Sequence, residues 1–488
     1  LKFFLWRTSK LYHIIQCLFI EQALNDIRQC VVREDVNRAS GSLEGQVRGA
    51  NKQGRALAEG LIGIVCSHGN LSRAFKQVKR NKGAAGVDNV PVGKFSDWFA
   101  THGNELVELI LQGSYYPTAV RSVTIPKPNG GERQLGIPTV QDRVIQQAIM
   151  QVLSPLYEQD FSDHSYGFRP KRNAQQALSK ASSYVSEGRY IVVDMDMKSF
   201  FDEVNHDRLM CQLSKKIGDK ALLRLIHRYL RSGILTGGVT SVRLKGTPQG
   251  SPLSPLLSNI VLDELDKELE ERGHCFVRYA DDFSVFVRSQ RASERVKESI
   301  SAYLTTKLKL KVNQEKSVCC ESSKTKFLGY TILNNGTLII ADSSVKRLKS
   351  KVRLITKRNR GRSLETIVSE LTPVLRGWLN YFKFASCKRL LRNLDAWIRR
   401  KLRCYRLKQC KKTIAMKRFL KSQGVPSWQS WILALSGKGW WRKSGCPQAH
   451  QAMNLEWFIR LGVYNMSIIY HQFRVNLKPP CTRVRTVV

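Results

Sequence analysis

The tightest constraint on this chain is a pair of short apolar runs that end in aspartates. RYIVVDMDM, residues 189–197, reads as a buried strand. CFVRYADDFSVFV, residues 275–287, has strand–turn–strand character with Asp281 and Asp282 at its tip. Side chains alternate along a strand, so Asp194 and Asp196 are expected on one face. Adjacent acids at a hairpin tip repel each other, which is costly unless something binds there. The plain alternative for the tip alone is a surface turn with two solvated acids. Helical stretches, HDRLMCQLSKKI and PLSPLLSNIVLDELDKELEER, separate the two runs, so the fold class is α+β. Further upstream, LSRAFKQVKRNKG is expected to be a helix with Leu71, Ala74, Phe75 and Val78 on its inner face. SVTIPKPNGGERQLGIP reads as a hairpin around a Pro/Gly turn, and DRVIQQAIMQVLSPLY as an amphipathic helix.

These acids are embedded in a basic chain. Of 488 residues, 80 are Lys or Arg against 39 Asp or Glu, a formal net charge of +41. An excess this large implies a polyanionic partner, because neutralising phosphates releases their counterions. Residues 343–443 hold 28 Lys+Arg and 3 Asp+Glu, so this window alone carries +25. It also holds Trp378, Tyr381, Phe382, Trp397, Trp440 and Trp441. Cations that grip a backbone beside aromatics that stack on unpaired bases are the footprint of RNA binding. For Trp378 and Trp397 the core of a helical bundle is the favoured reading; for Trp440 and Trp441 core and surface are balanced. Hidden carboxylates in a basic protein suit phosphoryl chemistry with hard divalent cations, which take oxygen ligands.

The 12 cysteines follow no zinc spacing, and Cys446 and His450 have no second ligand pair nearby. They read as reduced thiols of a cytosolic protein. The first segment, LKFFLWRTSKLYHIIQCLFI, is interrupted by Lys2, Arg7, Lys10 and His13. It is expected to be an amphipathic helix and not a membrane span. Residues 33–58 read as a linker.

VDMDMKSFFDEVNHD, GTPQGSPLSPLLSN and FVRYADDF resemble, in order, the palm motifs of reverse transcriptases, and their wording is similar to the bacterial group II intron branch. NKGAAGVDNV, HSYGFRPKRNAQQAL, LKLKVNQEKS and KFLGY resemble further blocks of that group. SLETIVSELTPVLRGWLNYFKF resembles its maturase-specific domain, and GKGWWRKSGCPQAHQAMNLEWFIRLGVYNM the part that follows. The resemblance implies a right-hand polymerase. Residues 61–342 would form fingers and an antiparallel palm sheet, 343–425 a helical thumb and maturase domain, and 426–488 its continuation and tail. Residues 1–60 would be an extension.

By the same resemblance Asp196, Asp281 and Asp282 are the catalytic acids. With the carbonyl of Met197 they would hold two Mg²⁺ ions. Asp194 lies outside the family's position. Phe201 matches the bulky gate that rejects a ribose 2′-hydroxyl. Gln249 and Gly250 match the template and nucleotide pocket, while Lys127 and Arg133 match the fingers residues that hold the triphosphate. RNA contacts are expected from Arg376, Trp378, Arg399, Arg400, Lys401, Lys411, Lys412, Trp441 and Arg442.

The implied partners are group II intron RNA, an RNA template with DNA primer and dNTPs, and target DNA reached through the ribonucleoprotein. A homodimer is compatible, a membrane is not expected, and the location is the bacterial cytosol. After Met466 only about 22 residues follow, with Cys481 alone, so no HNH endonuclease is expected and the primer would come from elsewhere. The alternative function is an RNA-binding splicing factor with a vestigial polymerase.

Overall fold

The computed structural model describes residues 58–126, 132–236, 239–241, 243 and 245–476. The expected N-terminal helix, most of the expected linker, Lys127 and Cys481 lie outside the described residues.

The chain opens with helices α1 (Leu61–Cys66), α2 (His68–Arg80) and α3 (Phe95–Leu111), then the hairpin β1 (Val120–Pro126) and β2 (Glu132–Ile137). Helix α2 buries Leu71, Ala74 and Val78, the apolar stripe legible in its sequence. Helix α4 (Val140–Glu158) starts at Thr139, whose side chain accepts from the Asp142 backbone N–H. Its inner residues are buried on nearly every side, so it is the hub of the N-terminal half.

There follow α5 (Ala174–Ser186), β3 (Ile191–Met195), α6 (Phe200–Glu203), α7 (His206–Ser214) and α8 (Lys220–Arg231). Next come β4 (Ile234–Thr236), β5 (Val239–Ser241), α9 (Ser254–Glu271), β6 (Cys275–Tyr279), β7 (Asp282–Val287), α10 (Gln290–Thr306) and β8 (Val318–Glu321). A short hairpin, β9 (Tyr330–Ile332) and β10 (Leu338–Ile340), leads into helices only: α11 (Asp342–Ile355), α12 (Leu364–Phe382), α13 (Lys388–Gln409), α14 (Thr413–Ser422), α15 (Ser427–Leu435), α16 (Trp440–Lys443), α17 (Pro447–Ala452), α18 (Leu455–Arg460) and α19 (Met466–Asn476).

Two four-stranded sheets result. One has the order β2-β1-β4-β5; the other, β6-β7-β3-β8, is antiparallel throughout. The second sheet is covered on both faces. Val193, Met195, Phe276, Phe283 and Val285 point into a core shared with α1 to α4 and α7 to α10. Val192, Val277 and Phe286 point into a second core, which continues through α5 and α11 to α19. That core runs across the expected boundary near residue 343, so one face of the sheet and the helical region are packed as one unit.

Candidate active site

The acids meet at one end of the second sheet. Strand β3 pairs with β7 from Ile191↔Val287 to Met195↔Phe283. One step beyond that last pair, the same register sets Asp196 opposite Asp282. Asp194 shares their face by alternation, and Ser284 Oγ donates to Asp194 Oδ1 at 3.1 Å. Beyond Asp196 the chain bridges to residues 311–313. Asn313 N–H donates to the Asp196 carbonyl at 2.8 Å, and Asn313 Nδ2 to Asp196 Oδ2 at 3.0 Å. Lys198 N–H donates to the Lys311 carbonyl, and Met197 stands opposite Val312. Backbone polar groups alternate sides along an extended chain, so the Met197 carbonyl points away from this bridge.

Electrostatics register the crowding. Loss of hydration, then the charges of Asp281, Asp194 and Asp196, push the Asp282 carboxyl up to about 6, against the pull of Lys326. Its side chain still has an open face to solvent. Burial first, and Asp196 second, also raise Asp194, while Ser284 and Lys326 oppose them. Among the described residues no three His, Cys, Asp or Glu side chains form a ready-made metal cage. The donor set nonetheless fits Mg²⁺. It consists of mutually repelling carboxylate oxygens, and this ion ordinarily binds through one or two carboxylates plus substrate phosphates and water.

The acidic turn is held from below. Ala280 has φ +60, a left-handed conformation that costs a non-glycine residue about 1–3 kcal/mol. Arg278 compensates. Its guanidinium, fully buried, binds both oxygens of the equally buried Asp266 at 2.7 and 2.5 Å. It also donates to Asn259 Oδ1 at 2.9 Å and to the Ala280 carbonyl at 3.0 Å. Asn259 in turn donates to the Gly167 carbonyl at 2.9 Å. Gly167 lies directly under the turn: a Cβ there would stand 2.9 Å from the Tyr279 carbonyl carbon and closer still to the Ala280 nitrogen. None of this network stood out in the sequence as part of the site. The available signal was a lone arginine in the apolar run CFVRY. Lys326, Asn313 and Ser284 were missed as well.

The remaining candidates gather around the first sheet. Phe201 lies in α6, half-buried, edge-on to Phe200 with ring centroids 5.3 Å apart. Its carbonyl accepts from Thr247 N–H at 2.6 Å, and Gly246 N–H donates to the Val204 carbonyl at 2.7 Å. Gly246 has φ +86, and a Cβ there would meet the Phe201 carbonyl oxygen at 2.7 Å. The Gln249 carbonyl accepts from Gly136 N–H of β2 at 2.9 Å, and Gly250, at φ +111, packs against the Gly136 carbonyl. The segment 246–250 thus stitches Phe201 to the hairpin that carries Arg133. Arg133 pairs with Ile125 through the backbone. The NKGAAGVDNV loop docks on the start of α4, where a Cβ at Gly86 would meet Thr139 Cα at 2.6 Å.

In the helical region the candidates divide. Arg376, Lys411, Lys412 and Arg442 are exposed. Arg399, Arg400 and Lys401 are half-buried. The Arg400 guanidinium stacks on Trp441 at 4.1 Å and donates to the Trp441 carbonyl at 3.1 Å; Lys401 sits 5.1 Å from the same ring. These groups staple α16 to α13, and Trp441 keeps 37% of its surface open. Trp378 is half-buried and packs on Phe382 at 4.8 Å, and Trp397 joins the same core, as favoured for both.

Comparison with known proteins follows the same division. Residues 125–332 match the model of reverse transcriptase (RNA-dependent DNA polymerase), and residues 345–424 that of the group II intron maturase-specific domain. Protein YkfC of Escherichia coli (strain K12) is 32% identical over 288 residues, 51% of this chain and 75% of that protein. The group II intron-encoded protein LtrA of Lactococcus lactis subsp. cremoris is 30% identical over 353 residues.

The chain belongs to the group II intron reverse transcriptase/maturase family.

A more distant relative is the putative COX1/OXI3 intron 1 protein of Saccharomyces cerevisiae, 26% identical over 54% of this chain and 37% of that one. The alignment with LtrA covers 58% of each chain. The reverse transcriptase domain holds all four clustered aspartates, and the maturase domain holds most of the +25 window.

Proposed function

We propose that the protein copies intron RNA into DNA by two-metal nucleotidyl transfer and binds that RNA to assist splicing and mobility. The observation that carries this is the convergence of Asp196, Asp281 and Asp282 at one sheet end, with the Asp282 carboxyl pushed up by loss of hydration and then by its acidic neighbours. Asp196, Asp281, Asp282 and the Met197 carbonyl would hold two Mg²⁺. Such ions activate a primer 3′-hydroxyl and stabilise the leaving pyrophosphate. The protein's own groups do the rest. Arg278, Asp266 and Asn259 fix the acidic turn. The ring of Phe201 walls the sugar site and excludes a 2′-hydroxyl. Gln249 and Gly250 line the pocket where template and incoming dNTP meet, and Lys127 and Arg133 hold the triphosphate.

In this reading, residues 61–342 are fingers and palm, and the helices beyond are thumb and maturase. Their exposed cations, Arg376, Lys411, Lys412 and Arg442, grip RNA phosphates, and the ribonucleoprotein carries the protein to target DNA. The setting is the cytosol, as the cysteine spacing suggests. The test is primer extension on an RNA template with dNTPs and Mg²⁺. The parent should synthesise DNA, and Asp281→Ala should abolish synthesis while leaving RNA affinity unchanged. A folded, RNA-binding parent that makes no DNA would overturn the polymerase reading in favour of a splicing factor.

A further inference from the structure

A cleft of about 600 Å³ opens where α5, β10, the α12–α13 connection and α19 meet, and none of the clustered aspartates lines it. Its size is that of a site for one small ligand. Its lining is chemically one-sided. Lys388, His471 and Arg474 contribute cationic or ionisable nitrogen, Ser182 and Ser386 contribute hydroxyls, and among the described residues no acidic side chain lines it.

Two features make this a built site. Arg474 is locked: Nε donates to Tyr470 Oη at 3.0 Å, and Nη2 donates to the carbonyls of Phe384 and Ala385 at 3.0 and 3.1 Å. Tyr470 Oη itself donates to the Ala385 carbonyl at 2.8 Å. Nη1 has no hydrogen-bond partner among the described residues. The second feature is Phe384, 40% exposed, whose ring is braced edge-on by Phe473 at 5.6 Å and 88°. A fixed cation beside a braced, open aromatic ring matches a phosphate joined to a flat base.

Lys388 opens α13, and exposed Arg389 and Arg392 continue the positive charge along that helix. A run of cations leading out of a cleft suits a run of phosphates, which a free nucleotide lacks. We infer that this cleft captures one unpaired nucleotide of a bound RNA strand, its base on Phe384 and its phosphate between Lys388 and Arg474. The inference rests on the RNA-binding reading and adds a site to it. Residues from the reverse transcriptase match, the maturase match and the helix beyond all line the cleft, so one gripped nucleotide would tie them together.

The test is photocrosslinking of the full chain to a short single-stranded RNA containing 4-thiouridine, with the attached peptide mapped by mass spectrometry. Affinity and its salt dependence are measured beside it. Crosslinks are expected on the peptides of Phe384 or Tyr470. Phe384→Ala should weaken binding by about five- to hundredfold, the range for losing one stacked base, and Phe384→Tyr should restore it. Lys388→Ala should reduce the salt slope by about 0.7, the share of one single-strand phosphate. Parental affinity in both alanine variants, with Lys411→Ala/Lys412→Ala still weakened, would overturn the cleft and leave the RNA-binding reading standing. A parent that binds no RNA would overturn both. Displacement of the crosslink by AMP, with total RNA bound unchanged, would assign the cleft to a free nucleotide and overturn the inference.

Discussion

Arg278 shows how one side chain can govern a site it does not enter. A buried ion pair that loses one partner leaves an uncompensated charge, at a cost of about 3–5 kcal/mol. Asp266→Asn should therefore lower stability on that scale, read by denaturant unfolding. Arg278→Lys should cost less but lose the fork that also reaches Asn259 and Ala280. Gly167→Ala separates positioning from stability. Its added methyl presses on the backbone of Tyr279 and Ala280, and a shift of about 1 Å at a reacting centre can cost about a hundredfold in rate. DNA synthesis should fall by that order while global unfolding changes little; equal losses in both would show that the glycine serves folding alone. Asp282 carries the opposite balance. Its carboxyl is raised from 3.8 to about 6, so ionisation in the folded state is disfavoured and costs stability above pH 6. In metal-free buffer at neutral pH, Asp282→Asn should stabilise the protein by about 0.5–1 kcal/mol, discounted because the group is open to solvent. That gain should fade as pH falls from about 6 toward 3.8, and its persistence in acid would contradict burial and acid–acid repulsion as the cause. The aspartates were legible because strand alternation and a tip between apolar runs are local patterns. Arg278, Asp266 and Asn259 were not, because their meeting depends on how α9 packs against β6.

At the scale of elements, the local periodicities carried far. The stripe of α2, the β1–β2 hairpin, α4 and the β6–β7 hairpin all form where their residue patterns put them. What the patterns left undecided was which cations face outward. Arg399, Arg400 and Lys401 sit together in sequence, yet Arg400 and Lys401 lie against aromatic rings, because a positive charge stacks on a ring as readily inside the protein as on a base. Replacing all three would mix lost contacts to RNA with a loosened α13–α16 staple. Lys411 and Lys412, exposed at the entrance to α14, give a cleaner test. Lys411→Ala/Lys412→Ala should weaken RNA binding uniformly across sequences and flatten the salt slope by about 1.4 if both meet single-strand phosphates, with thermal stability unchanged. An unaltered slope in filter binding would remove α14 from the RNA surface.

For the whole molecule, the decisive fact is the second core. Val192, Val277 and Phe286 of the sheet, Ala177, Leu178 and Val185 of α5, and Leu371, Leu375 and Leu379 of α12 belong to one buried cluster. The hairpin between them is fastened twice at its start: Tyr330 Oη donates to the Tyr381 carbonyl, and Tyr381 Oη donates to the Leu328 carbonyl at 2.8 Å. The two family regions therefore share an interior, although the shift in charge near residue 343 reads as a division between them. Composition reports what faces solvent, and an apolar interface between two regions leaves no charge signal. A chain ending at residue 342 would expose a face of the sheet that the full chain buries, and a large exposed apolar patch drives association. Such a fragment should bind a hydrophobic dye strongly, aggregate at concentrations where the full chain does not, and lose amide protection in β3 and β7. Supplying residues 343–488 in trans should reverse each effect. A soluble, dye-silent fragment with native exchange in those strands would mean that the sheet's second face closes without the helices, and that the aspartates are held in place by the first core alone.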